Sequence, residues 1–179
     1  TFAGQLLASN PENLRAREIG CAAALRWIPE HKHINSGKMK AQIESFLKAN
    51  LPAFCTSSVR RGNLRLASKF VERLPLGAPY RLFLNQLGQS TLLTLLNFAV
   101  GSGQTWVALR LMDLLLARYP LAPNYEGWEN HASELVQSLP VSSMTMRNVS
   151  SYLKANPESP LNARFGAWLS NAQISLRAA

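Results

Sequence analysis

An all-α fold is predicted by three features of the sequence. Apolar residues recur at helical spacing almost from end to end, and prolines and glycines punctuate them where helices start and stop. No stretch alternates apolar with polar residues between hairpin turns. The expected architecture is an irregular stack of helical hairpins, α-solenoid-like or an orthogonal bundle, with about eight to nine helices.

Residues 2–9 predict a short first helix. Asn10, Pro11 and Glu12 supply a cap, a first-turn proline and an early acid for a helix that runs to about Ile28 and stops before Pro29. Ser36 caps a third helix through Met39, Ile43, Phe46 and Leu47, with Pro52 beyond its end. Residues 54–59 form a short helix, Gly62 turns the chain, and the helix that follows ends at Pro75. Gly77 and Pro79 lie in a loop, and residues 80–87 form a helical turn. Ser90 caps the segment LLTLLNFAV, which is apolar on every side and therefore expected inside the fold. After Gly101 and Gly103 a second buried helix covers residues 105–119, closed by Pro120. Helices near residues 128–139, 143–155 and 160–176 complete the chain, the last with Ser159 as cap and Pro160 in its first turn.

With 179 residues, 47% of them apolar, the chain suits a single domain over residues 1–179. It begins at Thr1 without an initiator Met or a leader pattern, as expected of a processed chain or a domain excised from a longer one. Cys21 and Cys55 are the only cysteines, too few for a disulfide framework, so reduced buried thiols and a cytoplasmic setting are expected. Delivery into another cell or compartment is equally compatible with the sequence. The greasy residues 92–116 are interrupted by Gly101, Gly103, Gln104, Arg110 and Asp113 and read as two buried helices, not a membrane span.

Charge is unevenly placed. Lys and Arg number 19 against 10 Asp and Glu, a formal charge of +9. Residues 1–81 carry +8 of it and residues 82–179 only +1, so a basic half precedes an apolar, near-neutral one. Within the basic half, Arg61, Arg65, Lys69 and Arg73 recur every fourth residue, the spacing that aligns side chains on one helix face. Arg60 stands beside them, and Lys38, Lys40 and Lys48 of the preceding helix form a second bank. Such a field attracts polyanions. Arg73 near a helix C-terminus, and Lys69 three residues from Glu72, have local explanations as well.

Two hairpins share a pattern. Gly62, Ala67, Val71 and Leu74 match Gly103, Ala108, Met112 and Leu115 at the same internal spacing, 41 residues on. The glycine permits a tight turn, the alanine lets paired helices approach, and the larger residues point into the stack. Residues 62–75 and 103–120 thus resemble the second helix of pentatricopeptide and tetratricopeptide repeats. The resemblance implies a helical-repeat fold and, for the pentatricopeptide version, single-stranded RNA as ligand.

Chemistry finds little to use. Asp113 is the only aspartate, which disfavours clustered-carboxylate Mg²⁺ or Ca²⁺ sites. Three residues from Arg110, it reads as half of an exposed ion pair. Glu129 and Glu134 lie near His131 but are five residues apart and splay around their helix, which argues against an acid/base pair. His31 and His33 flank Lys32 and lack the third ligand that zinc needs. Cys55 has no adjacent base to activate it. GSGQT around Gly101 lacks the lysine of a phosphate loop. No catalytic residue, metal or cofactor is expected.

The sequence therefore predicts a binding module. The leading expectation is an adaptor whose basic helix face, formed by Arg60, Arg61, Arg65, Lys69, Arg73, Lys38, Lys40 and Lys48, docks an acidic protein segment. Single-stranded RNA binding is the second expectation. The third is a structural subunit of an oligomer, with Trp106, Trp128 and Trp168 available to an interface.

Overall fold

The computed structural model describes residue 10 and residues 13–30, 37–74 and 80–178. Among these, every regular element is a helix. They are α1 (Leu14–Glu30), α2 (Gly37–Arg60), α3 (Leu64–Glu72), α4 (Tyr80–Leu84), α5 (Gln89–Gly101), α6 (Thr105–Arg118), α7 (Tyr125–Gln137), α8 (Ser143–Ala155) and α9 (Asn162–Ala178). The expected helix over residues 2–9, the Ser36 cap, the His31–His33 loop and the loop holding Gly77 and Pro79 fall outside the described residues.

The residues divide into two compact units, one built from residues up to Leu74 with Tyr80–Thr91, the other from Leu92 onward. The structural division thus falls inside α5, ten residues beyond the change in charge between Arg81 and Leu82.

In the first unit, α2 is the central element: α1, α3 and α4 all pack on it. Asn13 caps α1, its Oδ1 accepting the Ala16 N–H at 2.9 Å, so the helix starts a little later than the Asn10 signal suggests. At its other end α1 continues past Pro29 to Glu30. A proline this close to a helix end gives up only its own N–H bond and need not stop the helix before it. The larger correction concerns α2, which runs unbroken through Pro52, where two helices were expected. Leu47, Leu51, Phe54, Cys55 and Ser58 form one buried stripe across the proline. Burial on a continuous face outweighs the single lost backbone hydrogen bond.

The α2–α3 connection is a Schellman motif around Gly62. The Asn63 N–H donates to the Ser58 carbonyl at 2.8 Å and the Gly62 N–H to that of Val59 at 3.0 Å. Gly62 has φ +76°, which an L side chain adopts only under strain. Phe54 and Phe70, with ring centroids 4.6 Å apart, join the two helices.

In the second unit, α6 packs on α7, and α9 packs on both α7 and α8. The α5–α6 turn repeats the geometry of the first: Gln104 N–H to Ala99 at 2.8 Å, Gly103 N–H to Val100 at 3.1 Å, and Gly103 at φ +67°. α6 is the buried centre of this unit, with every residue from Val107 to Leu116 enclosed. α5 was expected to be equally enclosed. Instead Leu92, Leu95, Leu96 and Ala99 are buried, Leu93 and Phe98 half-buried, and Asn97 and Val100 exposed. Its Leu side chains exceed what one buried stripe requires.

Positions 41 residues apart share their burial well beyond the four noted in the sequence. Leu51 and Leu92, Phe54 and Leu95, Cys55 and Leu96, Ser58 and Ala99 are buried pairwise, as are Ala67 and Ala108, Phe70 and Leu111, Val71 and Met112, Leu74 and Leu115. A second offset, of 37 residues, relates α6 to α8: Ala108, Met112 and Leu115 correspond to Thr145, Val149 and Tyr152, all buried. The turns that follow agree bond for bond. Tyr119 and Asn156 donate to Leu115 and Tyr152, both at 3.0 Å, and Tyr125 and Asn162 donate to Ala122 and Ser159. Pro120 and Pro123 match Pro157 and Pro160, and buried Trp128 matches buried Phe165.

Candidate binding surface

All eight cations singled out in the sequence are exposed. Their arrangement is less simple than one helix face. α3 contains only Arg65 and Lys69; Arg61 lies in the Schellman turn before it, and Arg73 is its C-cap. The amphipathic character of α3 is as expected, with Ala67, Ser68, Phe70 and Val71 buried opposite Arg65, Lys69 and Glu72. Arg73 is partly occupied, its guanidinium carbon 5.9 Å from the centroid of the Phe70 ring. Among the described residues, the side chains of Arg60, Arg61, Arg65 and Lys69 have no carboxylate within ion-pair distance.

The second bank stands at the far end of α2. Twenty-two residues separate Lys38 from Arg60, which at helical rise is about 33 Å. The same separation is roughly six turns, so the two side chains return to nearly the same side of the helix. Lys40 faces Glu44 at 3.9 Å, a solvent-exposed contact of small energetic weight. The cations thus fall into two groups, not one cluster: Lys38, Lys40 and Lys48 in the first half of α2, and Arg60, Arg61, Arg65, Lys69 and Arg73 from its last residue through the turn to the end of α3.

Of the described phenylalanines of this unit, three are buried and one is half-buried. Phe54 and Phe70 are buried against each other and Phe46 is half-buried. In the second unit Trp128 and Trp168 are largely buried, and Trp106 stacks on Phe165 at 6.0 Å between centroids. The tryptophans named for a subunit interface are therefore engaged within their own unit.

The remaining chemical groups are accounted for locally. Cys21 and Cys55 are free and buried, on α1 and α2. Burial pushes the Cys21 thiol up to about 12, opposed by the Arg17 guanidinium. Cys55 is pushed up further, by burial first and by Cys21 second. Neither is an activated nucleophile. His131 Nδ1 lies 3.3 Å from Glu134, whereas Glu129 pairs with Arg164 at 3.1 Å and stands apart from them. No group of three metal-ligating side chains occurs among the described residues, and no described helix is long and apolar enough to cross a membrane.

Asp113 departs most from its sequence reading. In place of an exposed pair, Asp113 is 0% and Arg110 2% exposed. Ser159 Oγ donates to Asp113 Oδ1 at 2.5 Å and accepts from the Leu161 N–H at 3.1 Å, while Tyr152 OH lies 2.8 Å from the same oxygen. Ser159, expected as a helix cap, is the junction of a buried polar network joining α6, α8 and the turn into α9. The one serine-to-carboxylate bond, extended by Tyr152, ties the three elements together through buried side chains.

Compared with known protein families, curated proteins and solved structures, the chain matches none.

Proposed function

We propose that the chain is a non-catalytic interaction module that docks an acidic protein segment on the cations of α2 and α3. The supporting observation is the group Arg60, Arg61, Arg65 and Lys69, exposed and without ion-pair partners among the described residues, at and just after the hydrogen-bonded turn between packed α2 and α3. Cations already placed and unneutralised raise encounter rate and favour an anionic partner. A partner reaching both groups on α2 spans about 30 Å, near 20 residues if helical. With both thiols free and buried, the reading suits a reducing compartment such as the cytoplasm.

Single-stranded RNA binding is the second reading. It follows from the pentatricopeptide resemblance of residues 62–75, and the shared burial at offsets of 41 and 37 residues fits a helical-repeat arrangement. The burial of Phe54, Phe70 and Phe83 weighs against it, because base stacking needs exposed rings.

The test titrates the full chain, and the triple charge reversal Arg61→Glu, Arg65→Glu, Lys69→Glu, against a fluorescent glutamate-rich peptide and an oligouridylate. Tight peptide capture that the reversal abolishes supports the adaptor reading. Preference for the oligouridylate with a steep salt slope moves the assignment to RNA. Equal binding by the wild-type and reversed chains removes both.

A further inference from the structure

We propose that the first three turns of α2 recognise an acidic amphipathic helix, and not an anionic chain as such; this rests on the adaptor reading above. Met39, Ile43 and Phe46 follow one another at spacings of four and three residues, which places them in one stripe of α2. Met39 is 49% exposed and Ile43 and Phe46 are half-buried, so the stripe is exposed at Met39 and partly accessible at the other two. Lys38 and Lys40 lie on its two flanks, about 100° to either side, and are exposed, whereas Lys48 falls on the opposite face of the helix. Lys38 and Lys48 have no ion-pair partner among the described residues, and Lys40 holds only a long contact to Glu44.

A polyanion without apolar groups satisfies the lysines and leaves the stripe in water. A helix with apolar residues at matching spacing and acids on its flanks satisfies both at once. Charge complementarity selects the sign of the partner's rim, and the stripe selects its centre. Met39 suits such a contact, since its unbranched side chain adapts to varied apolar surfaces. The stripe covers seven residues of rise, about 10 Å, and meets two turns of a partner helix.

The experiment uses two synthetic peptides of equal length and equal glutamate content. In one, leucines recur at helical spacing; in the other, serines replace them. Anisotropy titrations are run on the full chain and on the variants Met39→Ser and Ile43→Ala. The leucine peptide is expected to bind about tenfold more tightly than the serine peptide, the size of effect that burying a few apolar groups produces. Each variant should narrow that gap without altering affinity for the serine peptide. Equal affinity of the two peptides for the wild-type chain overturns the amphipathic partner and leaves the basic surface standing. Absence of binding by either peptide removes both proposals. Binding to phosphatidylserine-containing vesicles that competes with the leucine peptide, and that Met39→Ser weakens, reassigns the stripe to a membrane surface and overturns the helix.

Discussion

Ser159 Oγ reaches Asp113 Oδ1 at 2.5 Å across 46 residues of chain, in an environment closed to water. Charge-assisted hydrogen bonds of this kind are short and directional. Ser159→Ala is expected to lower unfolding free energy by about 2 kcal/mol, because Asp113 then loses a donor while staying buried. Urea denaturation of Ser159→Ala, Asp113→Asn and the double variant measures the coupling, expected above about 1 kcal/mol. Strict additivity would show that the two side chains do not act together.

Gly62 and Gly103 carry positive φ angles, whereas Gly127 in α7 does not. A Cβ added at any of the three meets nothing within 4 Å, so the comparison isolates backbone strain. Gly62→Ala and Gly103→Ala should each destabilise by about 1–2 kcal/mol. Gly127→Ala should be neutral or stabilise by up to about 1 kcal/mol. Thermal melts in which all three variants move together would contradict the assignment.

The buried thiols predict a loss of stability in alkali. Both pKa values are raised in the folded chain, Cys21 to about 12, so the folded state keeps protons that the unfolded state releases once pH passes its ordinary value near 9. Unfolding free energy should therefore be unaffected below pH 8 and fall above about pH 9, by roughly 1.4 kcal/mol per pH unit for each thiol. The Cys21→Ala/Cys55→Ala variant should lose much of that slope. A thiol reagent at pH 8 should modify the folded wild-type chain only at the rate of its opening.

Charge reversal at Arg61, Arg65 and Lys69 should leave the fold intact, with unfolding free energy changed by less than about 0.5 kcal/mol for each substitution. These side chains are exposed and hold no ion-pair partner among the described residues, so folding does not depend on them. Denaturation midpoints at low and moderate salt check this. A large loss would mean that the cations serve the fold and not a ligand.

The sequence by itself determined the helical class, because the 3.6-residue apolar period and its proline and glycine punctuation are local properties. Gly62 and Gly103 were legible as turns for the same reason: a left-handed backbone position selects glycine wherever it occurs. The eight cations were legible as surface and as two banks, but not the spacing of the banks along one helix, which depends on α2 continuing through Pro52. That continuity was a tertiary decision, since the buried stripe of Leu47, Leu51, Phe54 and Cys55 had to outweigh a missing N–H. The 37-residue offset carried a sequence signal, the paired prolines of Pro120, Pro123 and Pro157, Pro160 each followed by a buried aromatic, but its meaning required the matching hydrogen bonds. Asp113 was beyond local reading altogether. Three residues from Arg110 on a helix, it resembles any surface ion pair, and its hydrogen bond from Ser159, itself joined to Tyr152, comes from residues 46 and 39 positions further along the chain.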